Sequence, residues 1–374
     1  ISYNGEIYNF NEIKKELQNL GYRFTSNTDT EVILIAWKEW GKKSLIKFNG
    51  MFAFSLWDKK LKKFFLVRDR FGIKPIYYSF TNKQFIFASE QRTILANADN
   101  KLDLDLFSLR EYFSFQNILS DRTFYRDIKL ISPGSFIEIN LHDNSIQTLK
   151  YWDFNFQSKK SYKGQKYYEY KEELDRLLTQ SIKRQLVSDV EIGSYLSGGI
   201  DSGTITSIAS KEIDNLKTFN CGFRVDSKED IYDESKAAAI IANSNNTNHF
   251  HVNLNDKEML NSLHIIRRIL EDPRMGQSYP NHTIAEYAST FVKVVLSGTG
   301  GDELFGGYPW RYYQPLSDES DDISFKNYFK SSHKLINYEK IDDLFLHEKK
   351  VEIKGYTEDI FNNIFYTQNL DGDL

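Results

Sequence analysis

The sequence has very little cysteine and proline and no long hydrophobic run. Its 374 residues include one cysteine and six prolines. A single cysteine, Cys221, excludes an intrachain disulfide and a thiolate metal cluster and is typical of a reducing compartment, so we expect a cytoplasmic protein. The longest apolar stretches, such as 291–296, are far shorter than the roughly 20 residues that cross a bilayer. The sequence therefore predicts no membrane partner.

An excess of either charge is also missing. The 48 Lys and Arg residues against 52 Asp and Glu residues give a net charge of −4. A chain this close to neutral has no broad basic surface that would hold nucleic acid by neutralising phosphates, so we expect no nucleic-acid partner. What the chain has instead is a hydrophobic share of 40% and an aromatic share of 15%. That composition excludes a disordered protein, and the length predicts two to three folded domains.

The first part of the chain, 1–148, alternates short aromatic and β-branched runs with turn residues. Runs of this kind, such as 50–57 and 63–68, predict antiparallel strands. Apolar residues at helical spacing predict two helices, over 11–20 and 30–40. We therefore expect a domain of mixed sheet and helix.

The pattern changes after the polar, aperiodic segment 149–168, which we interpret as a linker. The region 169–374 then alternates apolar strands with helices. Predicted strands over 190–196 and 216–223 alternate with predicted helices over 202–211 and 233–242. This alternation predicts a parallel, doubly wound α/β sheet.

The strongest local motif is 194–202, where a predicted strand runs into a helix through Gly198 and Gly199. Two glycines let successive backbone N–H groups face an anion, and the hydroxyls of Ser197 and Ser202 add donors. The alternative is a tight glycine turn without a ligand. Asp201 would repel phosphate unless a divalent cation lay between them, so the motif predicts a Mg²⁺ ligand at Asp201.

A second glycine-rich, acid-bearing loop follows the apolar run 294–296. It contains Ser297, Gly298 and Thr299, and then the carboxylate of Asp302. Two such loops that follow strands of one sheet would grip one nucleotide between them.

Together these motifs resemble the glutamine-dependent asparagine synthetase family. The synthetase half of that family has the Ser-Gly-Gly-x-Asp-Ser loop, and the segments around Tyr232–Ser235 and Asn248–His251 are also similar. The glutaminase half resembles this chain in five segments of the sequence. These are 4–9, 26–33, 50–54, 68–78 and 88–90.

The resemblance implies two domains. The first is an α+β N-terminal-nucleophile glutaminase domain, an αββα sandwich that is incomplete here. The second is an α/β doubly wound parallel-sheet synthetase domain of the ATP pyrophosphatase type, incomplete at its C-terminus. The implied reaction uses glutamine, ATP, Mg²⁺ and an acceptor carboxylate, aspartate above all, and a homodimer is compatible with it.

The resemblance also implies roles for individual residues. Asn4 and Gly5 would form an oxyanion hole, and Glu6 and Asp29 would bind the α-amino group of glutamine, although Asn-Gly by itself is typical of a hairpin turn. Asp201 and Asp302 would bind the metal. The ATP and pyrophosphate residues would be Leu196, Ser197, Gly198, Gly199, Asp201, Ser202, Cys221, Ser297, Gly298 and Thr299.

The catalytic nucleophile of the family, an N-terminal cysteine, has no counterpart here. The chain begins Ile1-Ser2-Tyr3, so we expect an internal start and a fragment of a longer enzyme. Cys221 falls in the predicted second domain and cannot replace the nucleophile.

Several alternatives stay open at this stage. Thr299 stands where the family commonly has an acid, Gly203 replaces a serine, and the segment 271–280 lacks the threonine pair that the family uses for aspartate. The acceptor would then be another carboxylate, such as a sugar uronate or a natural-product acid. An ATP pyrophosphatase that modifies tRNA and a non-catalytic regulatory homologue are further alternatives. We expect His249 and His251 to be structural.

Overall fold

The computed structural model divides the chain into two compact units. Unit 1 consists of 1–161 together with 314–374, and unit 2 of 162–313. The structure describes residues 1–81, 84–97, 103–155, 167–223, 233–273, 277–313, 316–317, 320–323, 325–346 and 353–367. Most of the predicted linker, the motif residue Tyr232 and residues 274–276 lie outside the described residues.

The elements are numbered in chain order. The strands are β1 (Ser2–Ile7), β2 (Gly50–Asp58), β3 (Lys63–Arg68), β4 (Tyr77–Thr81), β5 (Gln84–Ala88), β6 (Lys129–Leu130), β7 (Ser135–Asn140), β8 (Ser145–Lys150), β9 (Ile192–Tyr195), β10 (Lys217–Phe223), β11 (Asn248–Leu254), β12 (Val294–Leu296), β13 (Leu316–Ser317) and β14 (Ser320–Ile323). The helices are α1 (Phe10–Asn19), α2 (Asp29–Trp40), α3 (Gln91–Ala96), α4 (Leu106–Phe115), α5 (Tyr167–Gln185), α6 (Ile200–Ala209), α7 (Ser235–Ser244), α8 (Asp256–Ile269), α9 (Ser278–Ser289), α10 (Gly301–Phe305), α11 (Pro309–Tyr313), α12 (Phe325–Ser331) and α13 (Tyr356–Thr367). The described 3₁₀ helices are η1 (Gly41–Ser44) and η2 (Tyr338–Leu344).

Two antiparallel sheets of unit 1 share an apolar layer. One sheet has the strand order β1-β2-β3-β7-β8 and the other β5-β4-β6. Alternate residues of β2 point to opposite faces, so Phe52 and Phe54 pack with α1 and α2 while Ala53 packs toward the smaller sheet. Ile94 of α3 packs on Tyr77 of the smaller sheet. Helices and sheets are thus layered, while the assignment to the N-terminal-nucleophile fold stays a prediction.

The last helices of the chain pack on α4. Phe361 of α13 stacks on Phe115 with their ring centres 5.8 Å apart, and Phe329 of α12 lies 6.2 Å from the same ring. Arg110, which is buried, pairs with Asp342 of η2. In the structure 314–374 therefore belongs to unit 1, while the domain boundaries predicted from the sequence stay a prediction.

Unit 2 contains the predicted parallel sheet, which the structure confirms. Its strand order is β11-β10-β9-β12, and all three pairings are parallel. Leu196 packs on Ala238 and Ala242 of α7, whereas Phe219 packs on α9. Helices therefore cover the sheet on both faces. None of the helices in the described ranges combines the length and the hydropathy that crossing a membrane requires.

Candidate functional site

The segment before α2 fixes the position of Asp29. The Thr28 hydroxyl accepts a hydrogen bond from the Glu31 N–H. In return the Glu31 carboxylate accepts hydrogen bonds from the N–H groups and the hydroxyls of Thr25 and Ser26. These bonds, above all that from the Ser26 hydroxyl, lower the pKa of Glu31 to about 2. The Thr28 cap and the bonds of Glu31 to the preceding segment together fix the first turn of the helix, in which Asp29 lies.

Asp29 links α2 to β1. Its Oδ2 accepts hydrogen bonds from the Tyr3 hydroxyl at 2.6 Å and from the Ile7 N–H at 3.0 Å. Burial, and then the bond to Asp29, raise the pKa of Tyr3 above its ordinary value, so the phenol stays a donor near neutral pH. Asn4 and Glu6 are exposed and lie between these two points of β1. The structure thus brings Asp29 to the strand that carries the other predicted glutamine-site residues.

Gly5 occupies a position that only glycine fits. Its φ is +147°, and a Cβ there would collide with the carbonyl oxygen of Met51. Asn4 and Gly5 pair with Ala53 and Phe52 of β2 inside the larger sheet. The pair therefore lies within a strand and not in the hairpin turn that Asn-Gly alone would suggest.

The loop after β3 is organised around a buried carboxylate, a feature that the sequence did not reveal. Asp69 has no exposed surface. Its two oxygens accept four backbone N–H groups, from Phe52, Phe71, Ile73 and Lys74. In the sequence, this segment is recognisable only by its resemblance to the family. A charged residue in a turn gives no sign that backbone donors will surround it.

Arg68 is the positive counterpart of this loop. Its guanidinium donates hydrogen bonds to the carbonyl oxygens of Gly72, Lys74 and Ile131. Burial lowers the pKa of Arg68 from its ordinary value. The backbone of the loop therefore satisfies both charges, which makes the loop a rigid support for the start of β2.

The strand order of the unit 2 sheet reverses next to β9. From β9 the chain proceeds through β10 to β11 on one side, and β12 then pairs on the other side. Ligands of open α/β sheets bind at such a switch point, outside the carboxyl ends of the strands. The Ser197–Ser202 loop follows β9 and the Ser297–Asp302 loop follows β12, so both predicted loops lie there.

Two glycines bring these loops into contact. A Cβ on Gly298 would lie only 2.8 Å from the Ser202 nitrogen, and a Cβ on Gly301 would collide with the Asp201 carboxylate. Any larger residue at either position would push the loops apart. Asp201 consequently lies against the residue that precedes Asp302, and its carboxylate makes no hydrogen bond or ion pair with a described residue.

Within the first loop, the serine hydroxyls bind the loop itself. The Ser202 hydroxyl accepts from the Ser197 N–H at 3.0 Å and lies 2.8 Å from the Ser197 hydroxyl. The Ser197 hydroxyl in turn accepts from the Gly199 N–H at 3.1 Å. The expectation that these hydroxyls simply add donors for an anion is therefore incomplete, because they also hold the turn together.

A carboxylate that the sequence analysis did not assign lies against the same loop. Glu234 Oε2 accepts a hydrogen bond from the Gly198 N–H at 3.2 Å. The start of α7 is close because Gly198 has no side chain, and a Cβ there would lie 2.6 Å from that of Ala237. An anion thus already occupies one of the backbone donors. The sequence feature that could have pointed to Glu234 is the Tyr232–Ser235 motif, to which no role was assigned.

In the second loop, Thr299 is held by its neighbour. The hydroxyls of Thr299 and Ser297 lie 2.8 Å apart, and the Thr299 N–H donates to the Ser297 hydroxyl. Gly300 follows with a φ of +105° and starts α10. The turn leaves Thr299 exposed at the switch point, so this position offers a hydroxyl and not the carboxylate that the family commonly has.

Cys221 lies in β10 and is half-buried. It packs between two apolar clusters that include Tyr279, Leu254 and Ile284. Burial raises the pKa of its thiol, which disfavours the nucleophilic thiolate. The structure therefore places the thiol in the core of unit 2, where its predicted contact with a nucleotide stays a prediction.

We expect the 374-residue chain to resist labelling at Cys221 by a glutamine-derived electrophile, because a half-buried thiol with a raised pKa is a poor nucleophile. Mass spectrometry of the intact chain would measure the labelled fraction. Iodoacetamide after unfolding in urea provides the control, since the thiol should then react fully. Labelling of the folded chain that glutamine prevents would contradict this expectation.

A parallel sheet with helices on both faces and two glycine loops at one switch point defines an α/β ligand-binding domain. Comparison with known families narrows this class. Residues 1–152 match the glutamine amidotransferase domain family, and residues 173–355 match the asparagine synthase family. The chain belongs to the glutamine-hydrolysing asparagine synthetase family.

Individual relatives agree with this assignment. Asparagine synthetase (glutamine-hydrolysing) 1 of Bacillus subtilis is 36% identical over 320 residues, which cover 85% of this chain and 49% of the relative. A putative asparagine synthetase (glutamine-hydrolysing) 2 of Methanocaldococcus jannaschii is 35% identical over 313 residues, or 82% of this chain and 58% of the relative. The chain thus spans about half the length of these curated relatives.

Proposed function

We propose that this chain supports ATP-dependent, glutamine-hydrolysing amide formation, with aspartate as the first candidate acceptor and asparagine as the product. The observation that carries the proposal is the contact between Asp201 and Gly301, which joins two glycine loops across the switch point of unit 2. Such an arrangement suits a nucleotide that carries several phosphates.

The reaction in unit 2 would proceed in two steps. An oxygen of the acceptor carboxylate attacks the α-phosphorus of ATP, and pyrophosphate leaves. Ammonia then attacks the acyl carbon of the acyl-adenylate, and AMP leaves. The contacts at the switch point support assigning ATP and pyrophosphate to the loop residues of the predicted set, and the contact of Cys221 with the nucleotide is part of the same proposal. In this structure the N–H groups of Ser197, Gly198 and Gly199 donate to Ser202, Glu234 and Ser197, so ATP binding would replace these acceptors with phosphate oxygens.

The acids of the two loops fit a magnesium ion. Mg²⁺ is commonly bound by one or two carboxylates, with water and phosphate oxygens completing its octahedron. Asp201 and Asp302 are two carboxylates of this kind, and no three His, Cys, Asp or Glu side chains converge anywhere in the described part of the chain. When bound, the ion would offset phosphate charge.

Unit 1 would supply the ammonia. In this proposal Asn4 and Gly5 stabilise the oxyanion that forms when glutamine is attacked, and Glu6 and Asp29 bind its α-amino group. The supporting geometry is the bond of Asp29 to the backbone of β1. The N-terminal-nucleophile fold belongs to the same proposal.

Thr299 favours a second candidate, in which the acceptor is a different carboxylate. A hydroxyl positions a group by hydrogen bonding but cannot act as a base near neutral pH, unlike the acid that the family commonly has there. A sugar uronate or a natural-product acid would then replace aspartate.

The proposal is tested by following AMP and pyrophosphate release by the full-length protein with ATP, Mg²⁺, aspartate and either glutamine or ammonia. Formation of asparagine in step with AMP supports the first candidate. ATP consumption that depends on another carboxylate and not on aspartate supports the second. No carboxylate-dependent AMP formation with any acceptor would overturn both.

The variant Thr299→Glu separates the two acceptors. If aspartate is the acceptor and ammonia needs no base, we expect the rate of asparagine formation to change by less than about threefold. If the loop suits another acceptor, only the variant should gain activity with aspartate. Thr299→Gln serves as the control for damage to the turn, because glutamine matches glutamate in size but carries no carboxylate that could act as a base.

A further inference from the structure

Two side-chain pairs cross from β10 to β11 on one face of the parallel sheet. Thr218 Oγ1 lies 2.9 Å from His249 Nδ1, and Asn220 Oδ1 lies 2.9 Å from His251 Nδ1. The register places each residue opposite its partner, so the two pairs are equivalent steps along the same strands. Thr218 and Asn220 are both buried. The pairs agree with the expectation that these histidines are structural, but they differ in what lies beyond them.

Of Thr218 and Asn220, only Asn220 contacts the entry of the Ser197–Ser202 loop. Its Nδ2 donates a hydrogen bond of 2.9 Å to the carbonyl oxygen of Leu196, the residue directly before Ser197. The Leu196 N–H already donates to the Phe219 carbonyl at 2.9 Å. The Asn220 side chain therefore adds one more hydrogen bond to the β9–β10 ladder, beyond the point where β9 ends.

The neighbours of Asn220 fix the orientation of its amide. Because Nδ2 faces the Leu196 carbonyl, Oδ1 must face His251, and a carbonyl oxygen only accepts hydrogen bonds. His251 Nδ1 is therefore the protonated nitrogen of that ring. Its Nε2, the acceptor of this tautomer, lies 2.9 Å from the Asn253 amide, which donates to the ring when its Nδ2 is turned toward Nε2. At Nδ1 the ring holds the amide that supports Leu196.

We propose that Asn220 is a positioning residue that sets the Ser197–Ser202 loop for binding ATP, with His251 holding the Asn220 amide in place. This rests on the proposed function of the loop. A loop that occupies its binding conformation only part of the time has an apparent affinity reduced by that fraction. The Leu196 carbonyl, once it loses its donor, would favour other conformations of the loop entry.

Asn220→Leu removes both hydrogen bonds at similar volume. In ATP–pyrophosphate exchange by the full-length protein, we expect the KM for ATP to rise about tenfold, with kcat at saturating ATP within about twofold of wild type. Calorimetric titration with ATP should show the same loss of affinity.

Thr218→Val is the matched control. It deletes a hydrogen bond of the same length to the other histidine, one pair earlier on the same strands, together with the 3.1 Å bond to the Thr247 hydroxyl, and leaves Leu196 untouched. We expect it to lower the melting temperature as Asn220→Leu does but to leave the KM for ATP unchanged. A rise in KM in both variants, or in neither, overturns the positioning role.

A comparison at His251 decides the matter if Asn220→Leu does not fold. His251→Asn keeps an N–H at the position of Nδ1 and should retain the wild-type KM, whereas His251→Leu should raise it. Equal KM values in these two variants overturn the proposal. A wild type that neither exchanges pyrophosphate nor binds ATP overturns the proposed function itself, which distinguishes the two failures.

Discussion

Asp201→Ala and Asp302→Ala should each reduce ATP–pyrophosphate exchange by at least about a hundredfold. Each acid lies in the first turn of a helix that follows a strand at the switch point. Removal of either would leave the phosphate charge facing the loops with one ligand fewer to offset it. The effect should appear in the exchange rate while release of ammonia from glutamine by the same full-length protein stays intact.

Glu212→Gln is the control for these variants. Glu212 lies just past the other end of α6, where it pairs with Lys183 at the surface, so its loss should leave exchange unchanged. Exchange at wild-type rates in both aspartate variants would remove these two acids from the proposed site. Equal losses in all three variants would indicate general damage to unit 2.

Asp69→Ala should destabilise unit 1 by about 3–5 kcal/mol in free energy of unfolding. The substitution leaves four backbone N–H groups without their acceptor inside the protein. It also leaves the buried Arg68 guanidinium without the negative charge that its neighbour supplies.

Urea unfolding followed by tryptophan fluorescence measures this effect well, since four of the five tryptophans belong to unit 1. Asp58→Ala is a suitable comparison, because Asp58 also accepts two backbone N–H groups but does so in a partly exposed turn. We expect it to cost less than about 1 kcal/mol. If the two variants unfold at the same urea concentration, the loop is not organised as the hydrogen bonds indicate.

Local elements could be predicted from the sequence to within a few residues. The helix predicted over 30–40 runs from Asp29 to Trp40, and that predicted over 202–211 runs from Ile200 to Ala209. Both have clear causes in the sequence, namely a Thr28 cap and a pair of glycines. Periodicity and turn residues act over a few positions, so the sequence reveals them directly.

Contacts between distant segments could not be predicted in the same way. Nothing local indicates that Gly301 will lie against Asp201, because strand order depends on which pairing buries the most surface. The contacts of His251 could not be predicted either. Its alternation with His249 predicts a strand, but nothing local indicates that His251 will contact Asn220 or that Asn220 will bind the Leu196 carbonyl. The spacing of apolar residues in α13 predicts a helix but cannot say that α4 will cover it.

The packing of α13 on α4 has a consequence for synthesis on the ribosome. Phe361 is translated roughly 250 residues after Phe115, the ring on which it stacks. At about 5–20 residues per second, that interval lasts on the order of 10 to 50 s. The whole of unit 2 emerges in the meantime, so it can fold while this apolar face of α4 is still bare. During that interval the nascent chain exposes the aromatic residues of α4, and a chaperone that binds aromatic side chains could shield them.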